Sequence, residues 1–430
     1  MKDNLIKKKR PQFIDDIYRS EVKIGRFLSV LILFGVAFGL KRGIQDNYLA
    51  EIINIEPFER GVVEFFRELP GLLLIFILAL MYRFADSKVF KVGIALMTVG
   101  LAGLFITSIT NSSASGEIFL LKILVIFFMV IFSTGEHVIM PVRSTIAMEL
   151  AKREKAGASL GITTSINQLG NIAGFLLVTV IFFFVKKAGF SRTDIIGYRI
   201  VFGIALGLMV AAALVAAALQ ETTLKAPRQR FYFAKKFSKY YILEVFYGSR
   251  KQIFLTFAPY VLILQYGADP SLMSILFAVC AVFVMFCSPL IGKLIDKVGY
   301  KAVMVGDTLI LIVVCLMYGF AHRMFAPNIA FLIVCINFIL DQIISIASMA
   351  NNVYVQRISK NREEITATLS TGISVNHIFS VLIALLGGWI WKIAGIETLF
   401  TISAVLALVN SIYAATIKKE EEQQGSADEE

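Results

Sequence analysis

The chain has 430 residues, of which 57% are hydrophobic and 17% charged, with a mean hydropathy of +0.75 and a formal net charge of +11. A soluble globular chain averages about 45–50% apolar and about 25% charged residues, so a soluble enzyme or binding domain is excluded. The surplus of cations falls in short connections between apolar blocks, so nucleic-acid binding is not needed to explain it.

A helix needs roughly 20 apolar residues to cross a bilayer core about 30 Å thick. The first 26 residues contain no apolar block and carry the basic run Lys7, Lys8, Lys9 and Arg10. They read as a cytoplasmic flank, with no cleavable signal peptide. Six spans are then predicted over residues 27–50, 61–82, 91–110, 118–149, 158–185 and 196–219. Residues 221–240 form a basic linker. Six more spans are predicted over 241–264, 271–292, 301–321, 328–356, 365–391 and 396–416, and a charged tail occupies 418–430. The N-terminal bundle thus covers 27–220 and the C-terminal bundle 241–417.

Lys and Arg concentrate in the connections on the side of the two termini, and the opposite connections carry few: Arg60, Arg323, Lys392 and the cluster from Lys186 to Arg192. By the positive-inside tendency, both termini are cytoplasmic. The expected setting is a bacterial cytoplasmic (inner) membrane, with lipids around a monomer. Cys280, Cys287, Cys315 and Cys335 all lie in predicted spans, with no metal-site spacing, and read as packing residues.

The chain repeats itself. Gly39-Leu-Lys-Arg-Gly-Ile44 aligns with Gly248-Ser-Arg-Lys-Gln-Ile253 at an offset of 209 residues. Ser165-Ile-Asn-Gln-Leu169 aligns with Ser374-Val-Asn-His-Ile378 at the same offset. The segment 85–91 falls on 295–301 with one residue of slippage. Two parallel six-helix halves follow, a known transporter design with the substrate site between the halves near the midplane.

Residues 292–301, Gly-Lys-Leu-Ile-Asp-Lys-Val-Gly-Tyr-Lys, resemble the cytoplasmic signature of the major facilitator superfamily. Gly292, Leu294, Asp296, Lys297, Gly299 and Lys301 match it; the first copy, at 82–91, keeps only Ala85, Asp86 and Lys91. The resemblance implies an all-α membrane protein of twelve spans in two pseudo-symmetric bundles, working by alternating access without a cofactor. It also implies a conformational latch built from Asp86, Gly292, Asp296, Lys297, Gly299 and Lys301. The structural alternative is a tight turn carrying positive-inside charges.

Two dibasic pairs, Lys41-Arg42 and Arg250-Lys251, lie near mid-depth in spans one and seven. A cation at bilayer depth costs at least about 2.5–3.5 kcal/mol on insertion scales, and buried ionisable groups mark function by default. The resemblance places spans one and seven across a central cavity. A comparable pair of arginines, one on each of these helices, binds phosphate in the superfamily's organophosphate:phosphate antiporters.

The expected substrate site is therefore Lys41, Arg42, Gln45, Tyr247, Arg250 and Lys251, with the repeat-related Asn167 and Asn376. The alternative is neutralisation within the protein, by the pairs Arg42–Asp46, Glu64–Arg67 and Glu244–Lys251. Glu136, Asp341, His137 and His377 are the candidate proton carriers, the carboxylates ahead of the histidines.

The first functional reading is a proton-coupled transporter (a symporter) of a small organic anion. A proton-driven exporter of amphipathic or cationic compounds and a non-transporting scaffold or sensor are the alternatives. No nucleotide-binding loop or nucleophile–base constellation points to an enzyme.

Overall fold

A computed structural model describes residues 12–19, 24–81, 83–109, 115–220 and 232–417. Part of the basic linker and the charged tail lie outside the described residues. The fold is almost wholly helical. The first six crossings are Ile24–Asn47, continued by a π-turn Tyr48–Ile52; Pro57–Leu72 with Leu74–Leu80; Asp86–Ile109; Ser115–Leu150; Ala156–Lys187; and Ile195–Ala217. They are called spans 1 to 6. Spans 7 to 10 are Ser238–Tyr266, Pro270–Val298, Tyr300–Met324, and Pro327–Ser345 carried on through a 3-10 turn to Ile358. Spans 11 and 12 are nearly continuous and are separated at Gly395, whose φ of 81° leaves the helical region.

Among the described residues, nine helices are long and apolar enough to cross a membrane, and spans 11 and 12 count there as one. Span 2 is missing from that group because it is divided at Leu73 into helices of 16 and 7 residues, and span 7 because its charged and polar residues lower its hydropathy. Span 2 holds Glu59, Arg60, Glu64, Arg67 and Glu68; span 7 holds Lys239, Glu244, Arg250 and Lys251. The outward faces carry Phe76, Leu80, Phe119, Leu214, Phe286 and Ile412, all more than half exposed. Only lipid suits that many exposed apolar side chains.

The observed ends shift several expectations. A capping box of Glu56 and Glu59, with Pro57 in the first turn, starts span 2 before its first apolar residue. Arg60 is therefore not a loop cation; it lies inside span 2 with 0% exposure. Span 8 runs six residues past its expected end, because nothing between Gly292 and Gly299 breaks a helix. Charged residues are tolerated once the helix leaves the apolar layer. The signature segment is thus helix, with Gly299 (φ 85°) as the single residue between spans 8 and 9.

Each set of six spans packs within itself. The two sets meet where span 2 lies on span 11 and span 5 lies on span 8. These two contacts are equivalents under the internal repeat. Close approach depends on glycine: a Cβ on Gly61 would stand 2.3 Å from the Ala384 carbonyl oxygen, and one on Gly388 would stand 2.9 Å from that of Pro57. Both lie toward the side away from the termini, called here the far side. Asn47 Nδ2 donates to the Ala268 carbonyl there at 2.8 Å, and Arg192 reaches Glu51 at 3.6 Å and the Gly267 carbonyl. Near the termini, the second half instead has its own apolar cluster around Phe237, Tyr240, Tyr300 and Tyr354.

Candidate functional site

The charged residues of spans 1, 2, 7 and 10 form two networks. The first begins at Arg42, which stands 3.8 Å from Asp46 and 5.1 Å from the centre of the Phe277 ring on span 8. Asp46 is held more closely by Arg60 of span 2, at 3.0 Å. Arg60 also meets Glu64 at 2.7 Å and lies against the ring of Tyr260. Glu64 then takes Arg67, whose Nε donates at 2.9 Å, and Arg67 reaches Glu68. Cations and carboxylates thus alternate along one face of span 2 at three- and four-residue spacing, so each supplies the charge its neighbour needs. Two of the three expected internal pairs, Arg42–Asp46 and Glu64–Arg67, are present.

The third pair is not formed. Glu244 accepts from Asn351 at 3.1 Å and Asn376 at 3.4 Å and makes no ion pair with Lys251. Residues seven apart share a helix face, but the amides of spans 10 and 11 reach the carboxylate first. Asn376 Oδ1 in turn accepts from Ser380 at 3.3 Å. Its repeat equivalent Asn167 accepts from Arg143 of span 4 at 3.1 Å.

The second network centres on Arg250. Its guanidinium donates to Asp341 at 3.1 Å and reaches Asp307 of span 9 at 3.5 Å. Gln342 donates to the other Asp341 oxygen at 3.2 Å. A small, open pocket beside this arginine is lined by Tyr247, Asp307, Asn351 and Asn410, all within the second half. Asp307 did not stand out in the sequence; only its depth in span 9 marks it.

The lysines differ from the arginines. Lys41 is buried, donates to Gln45 Oε1 and lies 4.3 Å from the centre of the Phe132 ring on span 4. Lys251 is half-buried, within electrostatic reach of Glu68 and Glu244. Among the described residues neither lysine makes an ion pair with a carboxylate. Phe132, which Lys41 meets, and Asp341, which Arg250 meets, are themselves 209 residues apart. Lys41 and Arg250 therefore face equivalent directions, toward spans 4 and 10. Arg42 turns instead to span 8, and Lys251 comes near Glu68 of span 2, so both face the other half.

Glu136 is half-buried on span 4, within electrostatic reach of Lys41 and Arg67, with no hydrogen bond or ion pair among the described residues. His137 and His377 come together, ring centres 5.5 Å apart, with His377 Nδ1 3.2 Å from Glu68 Oε2. Sequence reasoning named both histidines but missed Glu68, Arg60 and Gly71. No spacing signal links residues on spans 2, 4 and 11.

The signature residues lie apart from these networks. Asp86 is buried in the first turn of span 3. Asp296 and Lys297 are exposed in the last turns of span 8 and make no hydrogen bond or ion pair among the described residues. Gly292 has open space around it, and Lys301 donates to the Ile417 carbonyl at 2.7 Å.

Residues 240–430 match the family model described as Major Facilitator Superfamily. No curated protein matches the sequence. Among solved structures, the nucleoside transporter NupG superposes with a TM-score of 0.69 at 12% identity, over 91% of this chain and 99% of that one. A bacterial homologue of the iron transporter ferroportin, in an inward-facing state, gives 0.69 at 13% identity over 91% and 97%. A D-xylose–proton symporter gives 0.68 at 15% identity over 93% and 98%. At such identities the likeness is one of fold.

Proposed function

We propose that the chain is a secondary transporter of the major facilitator superfamily that moves a small organic anion by alternating access, coupled to protons; the family-model match over residues 240–430 and the shared fold support the superfamily. The fold's neighbours are named as transporters of a nucleoside, of iron and of a sugar, so the fold alone selects no substrate. The substrate reading rests on the distribution of charge. In each dibasic pair the arginine has carboxylate partners and the lysine has none among the described residues. Lys251, beside the interface between the halves, is a cation left for a ligand to neutralise.

Coupling is assigned to Asp341. Arg250 shares its charge between Asp341 and Asp307. A proton on Asp341 would remove one of its partners and free part of the guanidinium fork, which suits a carboxylate or phosphate. Proton and anion would then load together without adding net charge to the site. With the basic connections in the cytoplasm and the contacts between halves gathered on the far side, this arrangement opens toward the cytoplasm.

The test is ligand-dependent thermal shift of the purified chain across anions, cations and neutral solutes, since a ligand that binds the folded state raises its apparent stability. Stabilisation by a class of organic anions supports the reading. Stabilisation by cations or neutral compounds alone would replace it with the exporter alternative.

A further inference from the structure

Glu68, His137 and His377 stand on spans 2, 4 and 11, and each offers one ligand atom within 4.8 Å of the others. Two details of the surroundings orient these atoms, and a third gives the rings room. Arg67 takes Glu68 Oε1, which leaves Oε2 toward the histidines. His137 Nδ1 donates to the Ser133 carbonyl at 2.8 Å. A carbonyl only accepts, so the ring proton is on Nδ1 and the lone pair is on Nε2, the orientation that metal-binding histidines receive from such a bond. Gly71 lets span 2 pack against both rings: a Cβ there would stand 2.6 Å from His137 Nε2, 2.7 Å from its Cδ2 and 2.9 Å from His377 Cε1.

Glu68 Oε2 and His377 Nδ1 are buried 3.2 Å apart and have no hydrogen-bond partner elsewhere, so they satisfy each other only when the imidazole carries a proton on that nitrogen. A metal ion held between them would satisfy both without that proton.

We propose that Glu68, His137 and His377 bind a divalent first-row transition metal ion such as Zn²⁺, Co²⁺ or Fe²⁺. Two imidazole nitrogens and one carboxylate oxygen suit these ions and leave a coordination position open. Ca²⁺ and Mg²⁺ prefer all-oxygen sets. Glu68 and His137 belong to the first half and His377 to the second. The ion therefore fastens the halves in the arrangement seen here, and binding shifts the population toward it. This site stands whether or not the substrate is an anion.

The experiment uses the full chain in detergent with no added histidines. Co²⁺ is titrated while its visible absorption is followed, and Zn²⁺ is added in thermal unfolding. The expected result is one Co²⁺ per chain, with raised thermal stability in Zn²⁺ and none from Mg²⁺. His137→Gln and His377→Gln should each weaken Co²⁺ binding at least about tenfold. His322→Gln, the third histidine of the chain, should leave it unchanged. X-ray absorption of the Zn²⁺-loaded parent should show two imidazoles in the coordination shell, a readout that needs no variant. Absence of Co²⁺ binding, a shell without two imidazoles, or equal binding in folded His137 and His377 variants would overturn the proposal and leave Glu68–His377 as an ion pair only.

Discussion

Arg60 of span 2 and Asp46 of span 1 are 3.0 Å apart, and neither side chain is more than 2% exposed. Removing one member of a buried pair leaves an uncompensated charge, which costs about 3–5 kcal/mol. Arg60→Gln leaves Asp46 only its 3.8 Å contact with Arg42 and takes from Glu64 one of its two arginines, so it should lower the thermal midpoint of the purified protein more than any of the lysine substitutions discussed below. An unchanged midpoint would mean that water or lipid headgroups reach the pair.

The signature region supplies the second prediction. Asp296 is exposed at the C-terminal end of span 8, where the helix dipole disfavours a carboxylate. On the latch reading, that charge meets its partner in another state of the transport cycle. Asp296→Asn should leave stability unchanged and lower the transport rate. Asp86 has the opposite setting, buried in the first turn of span 3. There a carboxylate is favoured by about 0.3–1 kcal/mol, and up to about 2 kcal/mol when partly buried. Asp86→Asn should therefore lower stability while affecting transport less. Full transport in the Asp296 variant removes the latch.

The third prediction concerns coupling. Asp341→Asn keeps the size of the side chain and removes its charge and its proton. Accumulation driven by a pH gradient should be lost, while substrate exchange at equal pH persists. Measuring both in the same vesicles separates the two. If accumulation still follows the pH gradient, the proton is carried elsewhere.

What the sequence discloses and what it hides divide along physical lines. Apolar blocks set the crossings, because a bilayer imposes one length on every helix. The repeat pairs Lys41 with Arg250 and Arg42 with Lys251, and contacts at Phe132 and Asp341 fall in the same register. Span ends were less legible at Pro57 and Val298, where capping and the lack of a breaker outweigh hydropathy. Contacts across spans were not legible at all. Glu244 takes Asn351 and Asn376, not its helix neighbour Lys251, and Glu68 meets His377 across the two halves; nothing local encodes either choice. Arg60 was hidden differently, since one arginine next to a predicted loop looks like any other flanking cation.

The last prediction separates the two members of each dibasic pair. Lys41 makes a hydrogen bond to Gln45 and a ring contact with Phe132, and Lys251 makes no ion pair among the described residues. Replacing either by Gln strands no carboxylate, so the fold should tolerate both changes. Arg250→Gln removes the counter-charge of Asp341 and Asp307, and Arg42→Gln removes a 3.8 Å partner of an Asp46 that Arg60 still holds. Stability should therefore fall clearly for Arg250→Gln and little for Arg42→Gln. Anion affinity should follow a different order. A charged hydrogen bond contributes about 1.5–3 kcal/mol, which is roughly a tenfold to hundredfold loss in affinity for each one removed. Lys251→Gln should show that loss with its thermal midpoint intact, because its charge lies near the interface between the halves. Lys41→Gln should show a smaller loss, since its ammonium is already engaged by Gln45. The check is anion affinity and thermal midpoint measured on all four variants and the parent. If Lys251→Gln binds anions as the parent does, the charge left over in span 7 serves the protein's own carboxylates, and the anion reading fails with it.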